Sequence, residues 1–141
     1  MPPPRRGHET LEHTADVGLR VWAADLPELF SEAAVGLVDV MGTSEGAGAR
    51  HEDVRLEAPD LDALFVDWLS EVLFLFEARG FVVQAADVHI DRDPWRLAAA
   101  LSGADASSFR QHGPAVKAVT YHGLEITETS EGFEARVYLD V

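Results

Sequence analysis

The chain of 141 residues contains no cysteine. This absence excludes disulfides, thiol nucleophiles and thiolate metal ligands, and it is compatible with the cytoplasm, where we expect the protein to act. Long apolar runs are also missing, since no stretch approaches the roughly 18 residues of a membrane span, and no membrane association is expected. Residues 1–9 carry charge but no apolar segment, so they predict a short disordered lead rather than a secretion signal.

Basic residues are scarce. The chain has 11 Lys and Arg against 25 Asp and Glu, which gives a net charge of −14. Direct binding to a phosphate backbone needs clusters of Lys and Arg, so no direct nucleic-acid binding is expected. The excess of acid either serves solubility alone or marks a face that docks on a basic partner.

Familiar nucleotide and zinc motifs are absent too. The sequence has no GxGxxG, no GxxxxGK[ST] and no HExxH, and its six histidines show no zinc-type spacing. The glycine-rich stretch at residues 42–51 lacks the lysine and the strand-to-helix setting of a phosphate loop. We interpret it as a connecting loop whose role is open.

What the sequence does contain is clear periodicity. A helix is predicted after the capping residue Asp25, and a longer one from Leu61 to Arg79, after Asp60 and before Gly80. Strands are predicted over residues 12–23, 52–58, 81–90, 95–101, 115–127 and 132–141. This order predicts a single α+β domain over residues 10–141, with two helices packed on one face of a mixed β-sheet.

Two acids in "EHTAD" are the first candidates for chemistry. In a fully extended strand, Glu12 and Asp16 point the same way but stand about 13 Å apart, so they could not share one ion unless the chain turns there. Asp16 is therefore the favoured working acid, with Glu12 either supporting it or solvated. His13 falls on the apolar face, as a hydrogen-bonded core residue or as a ligand.

The end of the chain holds a second group of candidates. Asp140 adjoins the α-carboxylate of Val141, and two like charges repel unless a cation or a basic partner relieves them. Oxygen ligands of this kind suit Ca²⁺, Mg²⁺ or Mn²⁺, although a simple solvated chain end is the alternative. Lys117 in "KAVTYH" either extends its ammonium into solvent or holds an anionic group near the acids.

Taken together, these fragments resemble one family, the archeases. "LEHTADVG" near the start, "VKAVTYHGLEI" about a hundred residues later and the terminal "LDV" match that family in order and spacing. "LPELFSEAAVGLVDVM" and "DLDALFVDWLSEVLF" look like its two helices. The resemblance covers about residues 10–141.

The resemblance implies a small α+β protein that is a cofactor of the RtcB-type, GTP-dependent RNA ligase in tRNA splicing and RNA repair. It implies that the chain speeds guanylylation of the ligase and allows multiple turnover, and that it is not itself an enzyme. It also implies a divalent metal held by Asp16, Asp140 and main-chain oxygen of Val141, with Lys117 a functional residue nearby. Calcium is the ion expected in a structure, with magnesium or manganese as alternatives.

Two other classes of function remain open on the residues alone. A stand-alone metal-dependent hydrolase could use Asp16 and Asp140, although no nucleophile or general base is identifiable beside them. An acidic chaperone or interaction module would account for the charge alone. Faster labelling of the ligase by GTP would separate the activator from both alternatives.

Overall fold

The structure of the protein is a computed structural model that describes residues 6–12, 16–46 and 48–141, with only the backbone of Glu12. The described part forms a single α+β domain with two α-helices, a short 3₁₀ turn at Ala106–Ser108 and nine strands. The helices are α1 (Leu26–Met41) and α2 (Leu61–Arg79). The strands are β1 (Gly7–Glu12), β2 (Asp16–Ala23), β3 (Gly42–Ser44), β4 (Arg50–Ala58), β5 (Phe81–Asp91), β6 (Trp95–Asp105), β7 (Phe109–Gln111), β8 (Ala118–Thr129) and β9 (Gly132–Asp140).

Both helices begin where an aspartate can cap them. The Asp25 carboxylate accepts a hydrogen bond from the Glu28 amide at 2.9 Å, and the Asp60 carboxylate accepts one from the Ala63 amide at 2.7 Å. Each bond satisfies an N–H group that has no partner within the helix. Helix α2 ends at Gly80, which adopts a left-handed conformation with φ of 59°. The predicted caps are confirmed.

The core forms around the two helices. Twelve of the 16 residues of α1 are buried, whereas α2 buries eight of its 19. The indole of Trp68 on α2 donates a hydrogen bond to the Phe30 carbonyl of α1 at 2.7 Å, and the rings of Phe30 and Phe65 meet edge to face. These contacts fix α1 against α2 and place α1 at the centre of the core.

The strands form three sheets rather than the one mixed sheet predicted. Their orders are β1-β2-β9-β8, β3-β7 and β4-β6-β5, and every described pairing is antiparallel. Each helix contacts strands of both larger sheets instead of covering one face of a single sheet. The α+β class, the single domain and the two helices are confirmed. The partners of the strands differ because alternation predicts a strand but not its neighbours.

The N-terminal segment differs from the prediction. Residues 7–9, expected in a disordered lead, belong to β1, so that expectation is wrong for them; residues 1–5 lie outside the described residues. Polar contacts to α1 explain the order of this segment. Arg6 donates to Glu32 at 2.5 Å and to Ser31 at 3.0 Å, and His8 contacts both Glu32 and Asp39.

Of the predicted strand over residues 12–23, residues 16–23 form β2, whereas Glu12 is the last residue of a separate strand, β1. β1 ends at Glu12 and β2 begins at Asp16, and the two pair antiparallel, so the chain reverses between them. The predicted loop at residues 42–51 is also partly strand, because β3 pairs with β7 and β4 begins at Arg50. The amide of Gln84 holds the connection between them by donating to Ser44 Oγ and to the Gly46 carbonyl.

Candidate cation site at the chain ends

Asp16 and Asp140 are cross-strand partners, although 124 positions separate them in the sequence. Asp16 is the first residue of β2 and Asp140 the last of β9, and the antiparallel register sets their Cα atoms opposite each other. Residues so paired project from the same face of a sheet, with Cβ atoms about 4.5–5.5 Å apart. Both carboxylates can therefore reach one ion, whose bonds to oxygen are about 2.3–2.6 Å long for calcium.

The alternation of the two strands turns these acids away from the core. Leu19 on β2 and Leu139 on β9 are fully buried, as part of the hydrophobic face that both strands present to the helices. The opposite face carries Asp16, which is half-buried, and Asp140, which is exposed. Their charges therefore face solvent rather than the apolar interior.

The C-terminal residue is anchored beside these acids. The side chain of Val141 is partly buried and packs against the hydrophobic core. Its packing, together with the burial of Leu139, holds the terminal carboxylate next to Asp140. The side chain of Val141 is thus held against the core, and the role of the terminal residue as a cation ligand stays a prediction.

Lys117, the residue just before β8, lies beside the backbone of Asp140. Its backbone amide donates a hydrogen bond to the Asp140 carbonyl at 2.7 Å, and the next residue, Ala118, is the register partner of Asp140. The side chain of Lys117 is exposed. Neither Lys117, Asp16 nor Asp140 forms an ion pair with another described residue, so their charges are available to a ligand or a partner.

The remaining predicted residues are Glu12, the last residue of β1, and His13. Glu12 is the register partner of Val17, so its backbone lies opposite the residue that follows Asp16. The separation of about 13 Å expected for a continuous strand does not apply, because the chain reverses here. The side chain of Glu12 and all of His13 lie outside the described residues.

The donor set suits a hard cation. It consists of the Asp16 and Asp140 carboxylates and the oxygens of Val141, and oxygen ligands favour calcium, magnesium or manganese. Across the described ranges, no group of three or more His, Cys, Asp or Glu side chains is arranged to hold a metal ion. Binding of a cation at this place would therefore depend on the Asp16 and Asp140 side chains together with the oxygens of Val141.

Tyr138 is a residue of the site that sequence reasoning missed. An added Cβ at Gly18 would lie 3.0 Å from Tyr138 Cε1, and one at Gly123 would lie 2.9 Å from Cδ2 and Cε2 of the same ring. Gly123 has φ of +73° and lies in the bulge of β8 between Thr120 and Glu125. The ring is held between two glycines on neighbouring strands, next to the Asp16–Asp140 pair. In the sequence, Gly18 could have indicated this close contact, because a glycine inside a strand often marks a place where another group approaches closely.

The protein is thus a two-helix α+β domain with an acidic site where its first and last long strands meet. Residues 8–141 match the archease protein family. Protein archease of Methanosarcina acetivorans is 34% identical and aligns over 100% of both chains, and that of Thermococcus gammatolerans is 36% identical over 90% of this chain and 92% of the other. The chain belongs to the archease family.

Solved structures agree with this assignment. The solution structure of protein 1598 of Methanobacterium thermoautotrophicum superposes with a TM-score of 0.80 at 31% identity, covering 96% of this chain and 99% of the other. A Thermotoga maritima crystal structure, described as an archease and possible chaperone, has a TM-score of 0.63 at 19% identity over 94% and 96% of the two chains, and supports the fold alone. Within the described residues, no helix is long and apolar enough to cross a membrane.

Proposed function

We propose that this protein is a cytoplasmic activator of an RtcB-type, GTP-dependent RNA ligase in tRNA splicing and RNA repair. It promotes guanylylation of the ligase and its repeated turnover, and it has no catalytic cycle of its own. The observation that supports this function most strongly is the pairing of Asp16 with Asp140 at the meeting point of the two chain ends. Family membership supplies the biological setting.

The charge of the chain fits such a partner. A ligase that binds GTP phosphates and RNA ends presents Lys and Arg at its active site, whereas this protein has a net charge of −14. Opposite charges accelerate association and orient the two proteins. The acidic site at the chain ends is then the part of this protein that approaches the nucleotide.

In this proposal the residues of the site have distinct roles. The carboxylates of Asp16 and Asp140 and the oxygens of Val141 hold a divalent cation, and the cation supplies charge stabilisation beside phosphate groups. The exposed ammonium of Lys117 lies in the same region and contacts an anionic group of the partner or nucleotide. Calcium, magnesium and manganese all suit this donor set.

The test is guanylylation of a purified cognate ligase with labelled GTP, in the presence of Asp16→Asn or Asp140→Asn. Each variant should lower the stimulated rate at least about tenfold, because even residues that only support metal ligands cost 10–100-fold when they are lost. Asp53→Asn is the matched control, since Asp53 is an exposed acid on β4. Stimulation by either site variant equal to that of the parent would contradict the proposal.

A second candidate is an acidic chaperone or interaction module, which the net charge of −14 also fits. A chaperone would suppress aggregation of unrelated unfolded proteins, and Asp16→Asn would not change that suppression. A stand-alone hydrolase would instead form product from GTP or an RNA end without any ligase. The same purified protein, with and without ligase, distinguishes the three functions.

A further inference from the structure

Two large apolar side chains are strongly exposed in the described part of the chain. Phe74 on α2 is 51% accessible and Tyr121 on β8 is 57% accessible. A single exposed aromatic residue is ordinary, but two on adjoining elements suggest a contact surface.

The position of Phe74 on α2 places it in an acidic surrounding. Asp67 and Phe74 are seven residues apart, so they lie on the same side of the helix about 10.5 Å apart along its axis. Glu71 and Glu77 lie within one turn of Phe74, and Asp60 caps the start of the helix. We call the following residues the α2 face: Asp60, Asp62, Asp67, Glu71, Phe74 and Glu77, together with Tyr121.

Tyr121 belongs to the same surface. Partial burial raises the pKa of its phenol, and nearby negative charges of α2 raise it further. These charges belong to Asp67, Asp60 and Asp62. The β8 strand therefore lies against the N-terminal half of α2, in agreement with the contacts between these two elements.

The acids of the α2 face are not neutralised within the described part of the chain. None of its five carboxylates forms an ion pair with a described residue, and the basic residue at the end of the helix, Arg79, contacts Glu52 instead. The α2 face thus combines uncompensated negative charge with two exposed aromatic rings. Residues of these two kinds form the rim and the centre of many protein interfaces.

The α2 face and the candidate cation site lie on opposite sides of the same sheet, since Asp140 projects away from the helices whereas Tyr121 lies against α2. Ala118, the first residue of β8, is the register partner of Asp140, and Tyr121 follows three residues later. Because β8 is the edge strand of this sheet, a partner would reach both surfaces only by wrapping around that edge.

We propose that the α2 face is a docking surface for a basic surface of the RNA ligase. In this complex, Lys and Arg side chains of the ligase lie against the acids, and an apolar recess of the ligase receives Phe74. This inference rests on the proposed function, which supplies the partner. The charge of the face argues for a basic protein as the occupant. Nucleic acid and anionic membranes would be repelled, and a symmetric contact between two copies would bring five acids against five.

The test is the dissociation constant of the full-length protein with the purified ligase, measured at two salt concentrations. Phe74→Ala should weaken binding about tenfold or more, the effect of losing a central aromatic contact. The double variant Asp67→Asn/Glu71→Gln should also weaken binding, mainly at low salt, and should reduce the dependence on salt. Retained secondary structure and thermal midpoint would show that these surface variants are folded.

A matched control changes two acids on the outer face of the three-stranded sheet, Asp53→Asn/Asp91→Asn, which removes the same charge from exposed positions. Apart from the general effect of removing two negative charges, this control should change the dissociation constant less than twofold. If Phe74→Ala and the α2 double variant bind as tightly as the parent, the docking surface is wrong while the activator function stands. If the parent neither binds nor stimulates the ligase, the proposed function fails and this inference falls with it.

Discussion

At the scale of single residues, the buried carboxylate of Glu32 shows how the N-terminal strand is held. Glu32 on α1 is buried, and it accepts hydrogen bonds from Arg6 and His8 at the edge of the sheet. Burial acts to raise the pKa of the Glu32 carboxyl, but the hydrogen bonds from Arg6 and His8 outweigh it and hold the pKa below the usual value of 4.5. The ionised form is thus the one that stabilises the fold.

Glu32→Gln should therefore lower the free energy of unfolding by about 1.5–3 kcal/mol at pH 7, the range for a hydrogen bond to a charged group. A carboxyl whose pKa is lower in the folded state stabilises the protein above its unfolded pKa, and this contribution is lost as the pH falls through the folded pKa. The difference between parent and variant should hence shrink below about pH 4.5. Urea denaturation at pH 7 and in steps below pH 4.5 measures it, and a constant difference would contradict this role of Glu32.

Some residues of the candidate site can be recognised from the sequence, whereas others are recognised only in the folded structure. Asp16 and Asp140 can be recognised because each is an acid in a strand-like segment whose fold does not require one. The motifs shared with the archease family then connect the two residues. Tyr138 was missed because its role depends on the approach of Gly18 and Gly123 from two other strands. Contacts between residues so far apart in the sequence produce no periodic pattern from which they could be predicted.

At the scale of elements, both ends of α2 and the start of α1 were predictable from the sequence because the capping signals are local. Asp60 and Gly80 bound α2 through hydrogen bonds within a few residues of each helix end. Strand partners were not predictable, since β2 pairs with β9 from the other end of the chain. The short β3–β7 pair had no alternating pattern long enough to be recognised.

The bulge of β8 offers a test of element geometry. Gly123→Ala should destabilise the protein through a left-handed backbone and through contact of the new methyl group with the Tyr138 ring. Gly46→Ala is the control, because Gly46 has a similar φ of +78° with nothing within 4 Å of an added Cβ. The control should cost about 1–2 kcal/mol, and Gly123→Ala about 1–3 kcal/mol more, in urea denaturation. Equal losses would show that Tyr138 is not held by this glycine.

At the scale of the whole molecule, the fold brings the two chain ends together within one sheet. β2 and β9 are central neighbours in the order β1-β2-β9-β8, and the acids at their paired ends form the candidate site. The order of helices and strands predicted the class of domain, and the resemblance predicted that distant acids share a function. The register that unites them is a property of the complete fold.

The central claim is that these paired chain ends bind a divalent cation, and equilibrium dialysis with Mn²⁺ or Ca²⁺ at low ionic strength tests it most directly. The parent protein should bind one ion per chain with saturable affinity, and the control Asp53→Asn/Asp91→Asn should retain that ion. Asp16→Asn/Asp140→Asn should lose it, because the two negatively charged oxygen ligands that attract the cation are gone. Stoichiometric binding that survives in the Asp16→Asn/Asp140→Asn variant, or no binding by the parent, would contradict the account.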